Sequence, residues 1–267
     1  MTAALTKELA VATEALEKAL VIARGRFLGT LTTSVKDPTG DLVSDVDLLC
    51  ETEISNIISQ AFPLHGVVRE ETPETHSDSP WQWIVDPLDG TNNYVYGLPM
   101  WGVAITLCHG GSPVLAAIAD GYSGQITSAA RGGGVIIDGR LWTPPGSDAR
   151  FMSSAFWVGY GRDRSSPSTD LILRTLYRHS RRVFENWAPT VDVGLYLRGG
   201  IDVVVGQDCS GTELPAALLT LSEAGACIVD AQRRAVDLSR IPPIFIAGRS
   251  WAVDEVCSRL DEPSAGL

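Results

Sequence analysis

The chain has 267 residues, 45% of them hydrophobic and 20% charged, the makeup of a globular protein with room for one large domain or two coupled ones. A formal net charge of −11 argues against a nucleic-acid polymer as partner, which needs Lys and Arg to displace its counterions. A small anionic substrate stays admissible, because bound cations reverse the local field.

In chain order, residues 3–24 have the periodicity of an amphipathic helix, with Leu9, Ala12, Leu16 and Leu20 on one face. A second helix is expected over residues 42–61, with Cys50, Ile54, Ile57, Ile58 and Ala61 as its stripe. Val67-Val68 is a short strand that enters Arg69-Glu70-Glu71, and residues 72–80 are a polar loop. Trp83-Ile84-Val85 is an apolar strand ending at Asp86. Alternating strands follow at 101–107, 114–120, 126–130, 135–137 and 140–142, with turns at Gly110-Gly111 and Asp138-Gly139.

The composition shifts at Thr143-Pro144-Pro145-Gly146-Ser147, which divides the chain into residues 1–145, of α+β character, and residues 146–267. Beyond it, strands at 153–158, 182–184, 202–205, 226–229 and 244–247 alternate with helices at 169–180, 191–198, 214–223 and 251–260, an α/β pattern. Five scattered cysteines without a CxxC pair (Cys50, Cys108, Cys209, Cys227, Cys257) read as reduced thiols of a cytoplasmic protein. Lys7 and Glu8 interrupt the N-terminal apolar stretch too early for a signal peptide, and no apolar run is long enough for a membrane span.

Chemistry concentrates in Asp86-Pro87-Leu88-Asp89-Gly90-Thr91. The kink at Pro87 lets Asp86, the Leu88 carbonyl and Asp89 converge. Gly90 lacks a Cβ, so its amide and that of Thr91 can approach a phosphate closely. Mg2+ takes a few carboxylates, waters and phosphate oxygens, and a pair of such ions can serve an in-line displacement. Glu70-Glu71 and Asp45/Asp47 also stand at element ends. Each group alone has a plainer reading: an Asp-Pro-x-Asp-Gly turn, a solvated acidic pair, and helix N-terminal acids that complement the dipole. Their conjunction in chain order favours a site.

The ordered segments Asp41-Leu42-Val43-Ser44-Asp45-Val46-Asp47, Arg69-Glu70-Glu71, Trp83 to Asn93 and Ser222-Glu223-Ala224-Gly225 resemble the inositol monophosphatase-like family of Mg2+-dependent phosphatases. The resemblance covers most of the chain. It implies a layered α-β-α-β-α sandwich, usually a homodimer, that hydrolyses a small phosphorylated metabolite with two or three Mg2+ ions, Mn2+ being a possible substitute. By resemblance Glu70, Asp86 and the Leu88 carbonyl hold one metal, and Asp86, Asp89 and a later acid hold the second. The amides of Gly90 and Thr91 bind phosphate. Glu70 positions the nucleophilic water, supported by Thr91 hydrogen-bonded to Asp47.

Two departures stand out. The later acid, an Asp preceded by Trp in the family, aligns with Glu213 preceded by Thr212; Glu213 also fits a helix N-terminal acid capped by Thr212. An acidic residue that contacts a substrate hydroxyl aligns with Gly206. Asn186-Trp187-Ala188-Pro189-Thr190 replaces a run of small residues, so Gly206, Trp187 and Ala188 are expected on the substrate side, with room for a larger leaving group, for instance one with a flat ring. Gly206 also fits a turn and Trp187 a core position. The substrate expected is inositol phosphate or a related sugar phosphate, histidinol phosphate, a nucleotide or a specialised-metabolite phosphate. The competing expectation is a metal- or phosphate-binding regulator of the same fold that lost turnover through Thr212-Glu213.

Overall fold

The computed structural model describes residues 5–36, 38–72, 78–146, 151–159 and 166–261. Helix α1 (Thr6–Arg26) buries Val11, Ala12, Ala15, Leu16, Ala19, Leu20 and Ala23, the stripe expected from its periodicity. The expected second helix begins three residues late. Leu42–Ser44 is a strand, β2, antiparallel to β1 (Thr33–Val35). The whole of β1 is exposed, so no apolar alternation marks the ribbon. Helix α2 (Asp45–Ala61) starts where Ser44, with extended backbone, caps it. The Ser44 hydroxyl accepts from the Val46 amide at 3.2 Å, and the Asp47 carboxylate accepts from the Ser44 amide at 2.8 Å.

Strand β3 (Gly66–Arg69) pairs in parallel with β4 (Trp81–Asp89). Between them, residues 73–77 of the expected loop, His76 included, lie outside the described residues. After the short helix α3 (Thr91–Val95) come β5 (Gly102–His109), β6 (Ser112–Asp120), β7 (Ile126–Ala130), β8 (Gly134–Ile137) and β9 (Arg140–Leu141). These complete a seven-stranded sheet in chain order, antiparallel from β4 onward. The Asp138-Gly139 turn has φ of 46° and 77°, as a tight two-residue hairpin requires.

The composition shift at Thr143–Ser147 falls between the sheets; Ser147 itself lies outside the described residues. The second sheet contains β10 (Ser153–Val158), β11 (Arg182–Phe184), β12 (Val203–Gln207), β13 (Cys227–Asp230) and β14 (Ile244–Gly248), in the order β11-β10-β12-β14-β13. Helices α4 (Pro167–His179), α5 (Pro189–Leu197), α6 (Leu214–Glu223) and α7 (Ser250–Asp261) connect or follow these strands.

The layers run α1/α2, first sheet, α5/α6, second sheet, α4/α7. This is the five-layer sandwich. Helix α6 is apolar on both sides, with seven of its residues buried, because it fills the space between two sheets. Gly225, with φ 81°, then ends α6. Glu223 accepts the amides of Gly132 and Gly134 at 2.8 and 2.9 Å, which ties the β7–β8 loop to the helix. Among the described residues no helix is long and apolar enough to cross a membrane.

Gly206 belongs to this core. It is buried within β12, and the Phe245 ring of β14 occupies the space where its side chain would stand. The extra room expected at this position is filled by an aromatic ring. Gly206→Ala should therefore destabilise the fold by about 1–3 kcal/mol in urea unfolding, with part of the loss recovered by adding Phe245→Leu. A neutral Gly206→Ala would refute this packing.

Candidate active site

Strand β4 does not stop at Val85. It runs through Pro87 to Asp89, and its register against β5 shifts between Asp86 and Asp89, opposite Ala104 and Gly102. A proline removes one ladder donor, and the irregularity absorbs the mismatch. Asp86 and Asp89 are 3% and 6% exposed, and Leu88 is buried between them. Asp86 Oδ1 accepts from the Leu88 amide at 2.9 Å. Asp89 Oδ2 accepts from both the amide (2.7 Å) and the hydroxyl of Thr190, at the start of α5. Gly102 lets Thr190 approach: a Cβ there would collide with the Thr190 hydroxyl.

Gly90 follows with φ 84° and begins α3. A Cβ on it would lie 2.8 Å from the Met100 carbonyl oxygen and 3.1 Å from Ala188 Cβ, so conformation and space both require glycine here. Ala188 is fully buried behind Gly90, away from the substrate side where the sequence placed it. The Thr91 hydroxyl donates to Asp47 Oδ1 at 2.7 Å and lies 2.9 Å from the Leu88 carbonyl. The other oxygen of Asp47 completes the Ser44 capping box. Asp47 is thus both a helix-capping acid and the partner of Thr91, and burial holds its carboxyl above the usual range.

These residues open on a cavity of about 610 Å³, well within the size of small-molecule sites. Glu70, Asp86, Leu88, Asp89, Gly90, Thr91, Trp187 and Glu213 all line it; Asp47, Ala188 and Gly206 lie outside the lining. Burial pushes the Asp86 carboxyl well up, helped by the charges of Glu70, Asp89 and Glu213. Burial, reinforced by Glu70 and opposed by the Thr190 hydrogen bonds, pushes Asp89 up to about 7. Burial and the Asp89 charge push Glu213 to about 8. Acids so placed repel one another, and oxygen donors around a negative cavity suit a hard divalent cation.

Several of these acids are engaged by donors of the chain itself. Among the described residues no group of three or more His, Cys, Asp or Glu side chains is drawn together closely enough to hold an ion. The reason is visible in their partners. Lys36, just after β1, places its ammonium 2.8 Å from Glu70 and 2.6 Å from Glu71; burial disfavours its charge, but the two glutamates outweigh that and raise its pKa. Thr212 donates to the other Glu70 oxygen at 2.9 Å, and it does not cap α6, whose N-cap position is held by Glu213 itself without a side-chain bond. The longer side chain of Glu213 folds back over Gly211, where a Cβ would collide with its carboxylate. The donor chemistry fits a divalent cation, with Glu70, Asp86, the Leu88 carbonyl, Asp89 and Glu213 as the groups able to hold it.

The opposite wall comes from β10 and the β11–α5 loop. Asp192, fully buried in α5, accepts from Trp157 Nε1 at 2.7 Å and from Asn186 Nδ2 at 2.5 Å. The Asn186 carbonyl accepts from Asn93 at 2.6 Å. Trp187 sits between these anchors with φ 55°, a left-handed backbone unusual for a bulky residue. Sequence reasoning missed Lys36 and Asp192, and did not foresee that Thr190 would bond Asp89 or Thr212 bond Glu70. Thr190 is 101 residues from Asp89 and Thr212 is 142 from Glu70, and no local spacing links such pairs.

Residues 4–259 match the model of the inositol monophosphatase family. "Inositol monophosphatase 2" of Solanum lycopersicum is 30% identical over 86% of this chain and 89% of its own. The extragenic suppressor protein suhB of Bartonella henselae has the same fold with TM-score 0.83 and 25% identity, over 95% of this chain and 98% of that one. An IMPase/NADP phosphatase solved with Mg2+ and phosphate superposes with TM-score 0.76 and 20% identity, over 92% of each chain.

Two outcomes follow from the geometry. In metal-free protein, Asp89 and Glu213 keep protons in the folded state that unfolded carboxylates release near pH 4. Their contribution to stability is therefore complete below about pH 4 and is lost as pH rises toward about 8. The melting temperature should fall from about pH 5 to 8, and Mg2+ should raise it more at the upper end; a metal-free melting temperature that climbs across this window would contradict the assignment. At position 187, Trp187→Gly should be more stable than Trp187→Ala by about 1 kcal/mol in denaturant unfolding, the reverse of their usual order in regular structure.

Proposed function

The chain belongs to the inositol monophosphatase family, and we propose that it is a phosphatase that hydrolyses a small phosphate monoester with the help of divalent cations, Mg2+ in the first instance. The observation that carries this reading is the convergence of Glu70, Asp86, Asp89 and Glu213 on one cavity with Gly90 and Thr91. A relative solved with Mg2+ and phosphate supports the same choice of ligands.

In this reading Glu70, Asp86, the Leu88 carbonyl, Asp89 and Glu213 would hold the cations, which when bound would supply positive charge to the phosphate and to the entering and leaving oxygens. The chain's own groups do the rest. The amides of Gly90 and Thr91, at the start of α3, orient the phosphate so that attack is in line. Glu70 accepts a hydrogen bond from the attacking water once the Lys36 ammonium yields it. Thr91, its hydroxyl donated to Asp47, supports that placement of the water. Thr190 fixes the rotamer of Asp89 and leaves its other oxygen, Oδ1, for a cation. The leaving group extends toward Trp157 and Trp187. The same reading places the enzyme in the cytoplasm as a homodimer.

Release of inorganic phosphate from a panel of small monoesters, with and without Mg2+, tests the proposal. Activity should require the cation. Asp89→Asn should lower kcat/KM by about 100-fold or more, the scale of losing one group that manages transition-state charge. A folded protein that binds Mg2+ tightly and hydrolyses none of the panel would instead be the regulator of the same fold.

A further inference from the structure

Helix α2 buries two acids, Asp47 and Glu51, at 0% and 1% exposure. Four residues apart, they project from the same face of the helix. The partners of Asp47 are Ser44 and Thr91. Glu51 is a buried carboxylate that the chemistry described so far does not use, and it does not line the cavity.

Its partners lead to the site all the same. Glu51 Oε2 accepts from the Glu71 amide at 2.7 Å, and Oε1 accepts from the Thr72 hydroxyl at 2.6 Å. These are the two residues that follow Glu70 where β3 has ended at Arg69. The Thr72 hydroxyl in turn accepts from Arg69 Nη1 at 3.1 Å. The turn that carries Glu70 is therefore closed by bonds that begin on Glu51.

A carboxylate suits this task. Both neighbours are donors, and each carboxylate oxygen takes one of them. Burial of an acid in a helix packed on a sheet is unfavourable unless such bonds offset it. Lys36 grips the same turn from its other side, through the carboxylates of Glu70 and Glu71. The hold from Glu51 acts through the Glu71 backbone and the Thr72 side chain, so it persists when the ammonium releases Glu70. One face of α2 thus reaches both parts of the site, Thr91 through Asp47 and the Glu70 turn through Glu51.

We propose that Glu51 is a positioning residue that acts through the Glu71 amide and the Thr72 hydroxyl to set Glu70 for a divalent cation. The proposal rests on the phosphatase reading above and adds to it a residue that touches neither cation nor substrate.

Calorimetric titration of the folded protein with Mg2+ alone, beside its melting temperature, separates positioning from mere support of the fold. Glu51→Leu removes both acceptors and should weaken Mg2+ binding by about tenfold or more, the scale of losing a group that orients a metal ligand. Thr72→Val drops one of the two bonds and should weaken it by about threefold. Glu51→Gln still accepts from the amide and should stay within about threefold of wild type. With a phosphate ester at saturating Mg2+, kcat should fall in Glu51→Leu while KM for the ester holds, because the phosphate rests on Gly90 and Thr91. A lower melting temperature with wild-type Mg2+ affinity, in either folded variant, would overturn the proposal. Should Glu51→Leu not fold, Thr72→Val decides by itself. Wild-type protein that hydrolyses no ester but binds Mg2+ removes the phosphatase reading, and the titrations still decide the role of Glu51. Wild-type protein that binds no Mg2+ overturns both.

Discussion

Mutual repulsion among carboxylates gathered at one cavity, Asp86 and Asp89 buried among them, is the constraint around which this molecule is arranged. Glu70, Asp86, Asp89 and Glu213 come from two different sheets and their loops, yet they face one cavity. Nothing in their own interactions would keep them there. What keeps them is a set of donors, three from distant elements and one local: Lys36 and Thr212 on Glu70, Thr190 on Asp89, and the Leu88 amide of the same strand on Asp86. Each such bond to a charged group is worth about 1.5–3 kcal/mol.

The first turn of α5 is where the two ends of the cavity meet. Thr190 holds an acid of the reacting end and, two residues on, Asp192 holds the indole and amide of the opposite wall. A shift of α5 would move both ends together. Helices α5 and α6 are themselves packed between the two sheets, so the spacing from acid to indole is set by core packing rather than by loop conformation. Packing of that density does not deform smoothly.

Most strands and the acids at strand ends were legible in the sequence, because hydrophobic period and turn chemistry are local signals; the layered sandwich followed only from the family resemblance. The β1–β2 ribbon was not, since three exposed residues carry no alternation. The start of α2 was misplaced because Leu42 and Val43 are apolar in either assignment; only the extended backbone of Ser44 decides it. Gly206 misled for a different reason. A glycine in a strand signals that something approaches closely, and the sequence cannot say whether that is a substrate or, as here, the Phe245 ring. Lys36 and Thr190 act across long sequence separations, which only the assembled fold reveals.

The double engagement of Asp47 has a consequence for how such an enzyme can change. One carboxylate oxygen closes the first turn of α2 and the other receives the Thr91 hydroxyl. The cap of α2 and the placement of the Thr91 hydroxyl therefore draw on a single side chain. Under the phosphatase reading, a substitution at Asp47 would loosen the helix start and the active-site hydroxyl together, so stability and rate would fall as one.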